Sequence, residues 1–127
     1  MIVTLTAALL AASSSVAAMQ WERRVLLVAA PSTDDPSLVV QRRMLAAWRV
    51  EADRRDLSIV EVIGDQVTGA TDAATSLRRT YRLIADGFAV VLIGKDGGVK
   101  RRATDPLAVA DLAQTIDSMP MRRAGGR

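Results

Sequence analysis

The sequence predicts an α/β domain with helices on both faces of a mixed four-stranded sheet, in the order β-α-β-α-β-β-α. Three observations carry that expectation. Two short, continuously apolar runs, Arg24–Ala30 and Phe88–Ile93, read as strands buried on both faces. Between them lie two stretches whose apolar residues recur at helical spacing. An Asp96-Gly97 pair then turns the chain into a hairpin, because glycine tolerates the positive φ that tight turns need.

The elements follow in order. Pro31 ends the first strand, and Ser32-Thr33-Asp34-Asp35-Pro36 forms a loop in which Asp35 caps a helix and Pro36 fills its first turn. That helix runs to about Arg55, with Leu38, Gln41, Leu45, Trp48 and Ala52 on one face and Met44 beside them. Leu57–Ile63 is the second strand, and Gly64–Ala70 reads as a turn-rich connection. A second helix starts at Thr71 or Asp72, with Leu77, Tyr81 and Ile84 on its buried face and Gly87 just past its end. After the third strand and the hairpin, a fourth strand covers Gly98–Arg102. Asp105 and Pro106 open a last helix with the stripe Val109, Leu112, Ala113 and Ile116, and Pro120 ends it.

A strand–helix–strand opening favours parallel pairing with a right-handed crossover, and the hairpin adds antiparallel strands to the same sheet. This is the element order of a minimal thioredoxin-like, three-layer domain. In such an arrangement redox enzymes place a low-pKa cysteine in the loop after the first strand. Here that loop is Ser32-Thr33-Asp34-Asp35, and the chain contains no cysteine. Thiol–disulfide exchange and thiol peroxidase chemistry are excluded. Asp86-Gly87-Phe88-Ala89, ahead of the third strand, also lacks the proline that redox members place beside their cysteines.

Composition narrows the address and the chemistry. Residues 1–18 carry no charged side chain, and an apolar run gives way to Ser13-Ser14-Ser15-Val16-Ala17-Ala18. That pattern reads as a secretory signal peptide cut after Ala18 or Ala17, with a buried N-terminal strand or helix as the alternative. On the first reading residues 19–123 form one domain, 124–127 a loose tail, and the expected location is the periplasm or the exterior, without a membrane anchor. Zero histidine removes the usual metal ligand and proton shuttle, and with them any serine or cysteine triad. The net charge of +3 comes from 15 Arg and 2 Lys against 14 acids, spread over six Arg-Arg pairs. Such scatter, with aromatic residues at 3%, argues against a nucleic-acid face.

The candidate binding residues fall in three places. Asp34 and Asp35 suit helix capping, and a calcium loop would need more oxygen ligands at regular spacing. Gln41 interrupts an apolar helix face, either to satisfy buried backbone or to look into the same surface as the loop. Gly94-Lys95-Asp96-Gly97-Gly98 lacks phosphate-loop spacing and joins two strands, so its glycines are turn residues. Lys95, Lys100, Arg101 and Arg102 around it form an anion-attracting rim or merely protect a sheet edge. Met119-Pro120-Met121-Arg122-Arg123 closes the core or forms an adaptable contact patch.

Several of these segments together resemble a known family. They are Trp21 to Leu27, Gln41, Arg54-Arg55-Asp56-Leu57, Leu92 to Lys100 and Ile116 to Arg123. The chain is similar over essentially its whole mature length to the domain of unknown function DUF 4174. That family is found in bacterial exported proteins and in vertebrate extracellular proteins, including equarin and the sushi-repeat proteins. The resemblance implies a thioredoxin-like fold and an extracytoplasmic setting, and it transfers no catalytic residue. Bacterial relatives tend to carry an acidic residue after the Arg pair, where this chain has Ala124-Gly125-Gly126.

The resulting expectation is a cysteine-free binding module, without catalysis or cofactor, that contacts an envelope or extracellular protein or an anionic ligand. Lys95, Asp96, Lys100, Arg122 and Arg123 lead the binding candidates, with charge reversal at Lys95 and Arg122 expected to weaken binding but not stability. The rival expectation is an enzyme or metal-binding protein built on Ser32, Thr33, Asp34, Asp35 and Gln41. A self-associating structural domain is the third.

Overall fold

The computed structural model describes residues 14–123. Its sheet has five strands, one more than the sequence reading gave: β1 (Arg24–Ala30), β2 (Leu57–Ile63), β3 (Gln66–Thr68), β4 (Ala89–Ile93) and β5 (Val99–Ala103), in spatial order β3-β2-β1-β4-β5. β1 and β2 pair in parallel, and every other neighbour pair is antiparallel. The extra strand folds back from β2 across Gly64-Asp65, with Gly64 at φ 58° and Val62 opposite Val67. A two-residue Gly-Asp turn between alternating residues is a hairpin signal. It lies in the segment read above as plain connection.

β1 is buried along its whole length, because its two faces build two different cores. Val25, Leu27 and Ala29 pack with Val60, Val62, Val91 and Ile93 beneath α3 (Ala74–Tyr81). Leu26, Val28 and Ala30 pack with Val90 and Leu92 beneath α1 (Pro36–Ala47), α2 (Arg49–Arg54) and α4 (Val109–Asp117). Each fully buried aliphatic side chain contributes on the order of 1.5–3 kcal/mol. These two layers hold the fold in a chain with no cysteine to cross-link.

Apart from Ile84, the helices keep their expected stripes, but not their expected ends. The first helix divides at Trp48, whose N–H donates to the Leu45 carbonyl, and α2 continues from Arg49. α3 begins at Ala74, because Asp72 uses its carboxylate to accept the Val16 N–H instead of capping the helix. It ends at Tyr81, where Arg82 takes the left-handed conformation at φ 55°. That turn sends Leu83 into the core and leaves Ile84 exposed, so neither the buried Ile84 nor the Gly87 terminus holds. α4 begins at Val109, since Gln41 holds Leu107 ahead of it. Pro120 does not end α4. It opens the short α5 (Pro120–Arg123), which suits a residue that lacks an N–H and has a fixed φ.

At the N-terminal side, Ala17–Met19 forms a 3-10 turn and Val16 is buried in the α3-side core. The Ser14 carbonyl accepts the Thr71 N–H. Residues 1–13 and the tail 124–127, with the missing terminal acid, lie outside the described residues.

Candidate functional site

The hairpin between β4 and β5 is built by short-range hydrogen bonds. Gly94 N–H donates to the Gly98 carbonyl, Gly97 N–H to the Gly94 carbonyl, and Gly97 adopts φ 84°. A side chain at Gly94 would meet the flexible end of Lys100, which would have to move aside. Pairing then slips by one: Leu92 faces Arg101, Ile93 faces Val99, and Lys100 is the extra residue. Such a bulge re-aims a side chain. Lys100 here turns back over the hairpin and donates to Asp96 Oδ2 at 2.8 Å.

Lys95 behaves differently from its neighbours. It is almost buried, and its Nζ donates to Asp56 Oδ2 at 2.9 Å. Asp56 sits between α2 and β2 at φ 51°, an uncommon conformation for a residue other than glycine. Its carbonyl accepts the Arg24 N–H, and its carboxylate also lies 3.6 Å from Arg23. Arg24, at the start of β1, is fully buried: Nη1 donates to the Arg55 carbonyl at 2.7 Å and Nε to Met119 Sδ at 3.3 Å. Burial lowers the Arg24 pKa, and Asp56 opposes that shift. Asp96 is shifted below the ordinary carboxylate value, first by its bond from Lys100 and then by the Gly98 N–H.

Of these residues, Arg24, Gly94, Lys95, Asp96 and Lys100 line a cleft of about 550 Å³. One wall is the hairpin, with Gly94, Lys95, Asp96 and Lys100, joined by Trp21 and Arg24. The other is the end of α4 and the start of α5: Thr115, Ser118, Met119, Pro120 and Met121. Trp21 stays attached to the hairpin through its N–H to the Lys95 carbonyl, while its side chain is largely exposed. The two methionines divide the roles considered above. Met119 is buried in the core and Met121 is exposed.

The structure thus brings Lys95, Asp96 and Lys100 together with the methionine segment. Arg122 and Arg123 lie on adjacent α5 but do not line the cleft. Arg122 joins α5 to α2 and α4 by donating to the Arg54 carbonyl and to Asp117. Asp117 also accepts two bonds from Arg55, and its pKa is lowered chiefly by that guanidinium. The remaining candidates sit at the far end of β1. Asp35 caps α1 through the Ser37 and Leu38 N–H groups, and Asp34 accepts from the Ser32 hydroxyl. Gln41 is fully buried and spans a long sequence distance, accepting the Leu107 N–H at 2.7 Å and donating to its carbonyl at 3.1 Å. No group of three or more acidic residues with metal-holding geometry occurs among the described residues.

Sequence reasoning passed over Trp21, Arg24 and Asp56 as site residues. Arg24 had a legible signal, a lone charge opening an otherwise apolar buried strand. The role of Asp56 depends on a contact to Lys95 that no local pattern encodes.

Comparison with known proteins agrees with this geometry at the level of fold. Residues 15–125 match the domain of unknown function DUF4174. The structure is similar to thioredoxin peroxidase I of Plasmodium yoelii, with TM-score 0.61 and 19% identity, covering 88% of this chain and 81% of that one. It is also similar to the mitochondrial 2-Cys peroxiredoxin of Plasmodium falciparum, with TM-score 0.55 and 11% identity, covering 88% and 84%. At these identities the likeness is one of thioredoxin-like fold alone. Among curated proteins, none matches.

Proposed function

The chain belongs to the DUF4174 family, and from that premise we propose that it is a non-catalytic, cysteine-free binding module acting outside the cytoplasm. Its binding site is the cleft between the hairpin and the α4–α5 corner, and the bound partner presents an anionic group there. The observation that carries this reading is convergence. Lys95, Asp96 and Lys100 share one concavity with Trp21 and the methionine segment, whereas in the Ser32–Asp35 loop Ser32 bonds Asp34, Asp35 caps α1, and no residue lines that cleft. A concave, mainly apolar site with a few converging polar groups is what ligand recognition requires. The absence of charged side chains from residues 1–18 supports the extracytoplasmic setting, with any cleavage falling ahead of the core residue Val16.

Amide chemical-shift mapping with a panel of small anions tests this reading. Saturable shifts are expected at Gly94–Lys100 and Thr115–Met121. Shifts concentrated at Ser32–Asp35, or stabilisation by a divalent cation alone, would replace it with the enzyme or metal reading.

A further inference from the structure

We infer that the cleft takes a small organic acid, with its single carboxylate at the lysine end and its apolar body against Trp21, Met119 and Met121. This rests on the cleft being the binding site, and it names the ligand class. The first argument is charge. Of the charged residues lining the cleft, Arg24, Lys95 and Lys100 are cations and only Asp96 is an anion. An ammonium has three donors. Lys95 gives one to Asp56 and Lys100 one to Asp96, so both retain donors for a further acceptor. Lys95 is the sharper of the two, because its side chain is almost removed from water and the residue lines the cleft.

The second argument fixes the number of charges. Asp56 behind the cleft and Asp96 at its rim already offset much of the positive charge. The opposite wall is the C-terminal end of α4, at Thr115 and Ser118, where the helix presents the negative end of its dipole. A monoanion fits that balance better than a phosphate dianion. The third argument is the body of the ligand. About 550 Å³ is within the range of small-molecule sites, and Trp21 with Met119, Pro120 and Met121 supplies polarizable apolar surface.

The fourth is strain. Three residues other than glycine have positive φ among the described residues: Trp21 at 72°, Asp56 at 51° and Arg82 at 55°. Arg82 ends a helix. Asp56 likewise follows the end of α2, and Trp21 follows the Ala17–Met19 turn; of the three only Trp21 lines the cleft, where a bulky, largely exposed tryptophan is an unusual choice for that conformation. Backbone held in sparse regions clusters at ligand clamps.

The test uses the indole N–H signals of Trp21 and Trp48, assigned by comparison with Trp48→Phe, and titrates the full chain with octanoate, 1-octanol, acetate and inorganic phosphate. Octanoate is expected to move the Trp21 indole and the Gly94 and Gly98 amides saturably, with the other three compounds about tenfold weaker or more. Lys100→Met, which keeps the apolar stem, is expected to weaken octanoate about tenfold and leave octanol unchanged. Octanol binding as tightly as octanoate would overturn the carboxylate, acetate doing so would overturn the apolar body, and phosphate doing so would overturn the monoanion. If octanoate fails while another anion moves Gly94–Lys100, the ligand class is wrong and the binding site stands. If no anion moves those amides, both fall.

Discussion

β1 has polar residues beyond both of its ends, and the two ends use them in opposite ways. At its C-terminal end, Asp35 caps α1, Ser32 bonds Asp34, and the fully buried Gln41 is bound to the Leu107 backbone. At its N-terminal end, Lys95 and Lys100 meet carboxylates and line a cleft together with Trp21 and methionines. The first end is where thioredoxin-like enzymes keep their thiol, and here it is given over to holding the chain together. What separates the two ends is whether their polar groups converge on a cleft. Residue type alone does not distinguish them.

The largest effect is expected at Lys95. Lys95→Glu removes the partner of Asp56 and sets a second carboxylate against it in a nearly buried place. A loss of about 4 kcal/mol is expected for breaking such a pair, read as a lower urea midpoint. This revises the expectation that charge reversal there would spare stability. A loss below about 1 kcal/mol would mean that the ammonium already faces water and that the two ends differ less than their geometry suggests.

Gln41→Leu probes the opposite end. It strands the Leu107 N–H and carbonyl, and a cost of about 2 kcal/mol is expected for unsatisfied buried groups. The shifts caused by a cleft ligand should survive the substitution. If ligand shifts vanish while the variant stays folded, the two ends communicate and the division drawn here breaks.

The smallest effect is expected from Asp96→Asn, about 0.5 kcal/mol for an exposed pair. Its value lies in the pH dependence. The Asp96 carboxyl is shifted below its ordinary value of 3.8 in the folded chain. Its contribution to stability is therefore present above that value and lost as pH falls through the lower folded pKa. The melting-temperature gap between the wild type and Asp96→Asn should narrow on acidification below about pH 4. A gap that widens in acid would reverse the assigned role of Lys100.

Much of the fold is legible from local pattern. The bounds of β1 and β2 and the helix stripes of Leu38, Leu77, Leu112 and Ile116 follow from periodicity. The failures arise where a local signal meets a competing partner. Ile84 continues the α3 stripe on paper, yet a left-handed arginine at 82 ends the helix first. The helix expected from Thr71 or Asp72 starts only at Ala74, and the Asp72 carboxylate accepts the Val16 N–H instead. Val16 also weighs against the expected cleavage after Ala17 or Ala18, which would remove a residue packed in the core.

The sequence by itself determined the alternation of strands and helices, the hairpin at Asp96-Gly97 and the exclusion of thiol chemistry. These depend on near neighbours or on composition. Only the tertiary structure decided that Lys95 is bound to Asp56, that Gln41 serves Leu107 and that the methionine segment faces the hairpin. Those pairings join residues 39 and 66 positions apart, in the case of Lys95 and Gln41 respectively. A polar side chain's role is set by what the folded sheet places within about 3 Å of it, and the order of residues along the chain does not specify that.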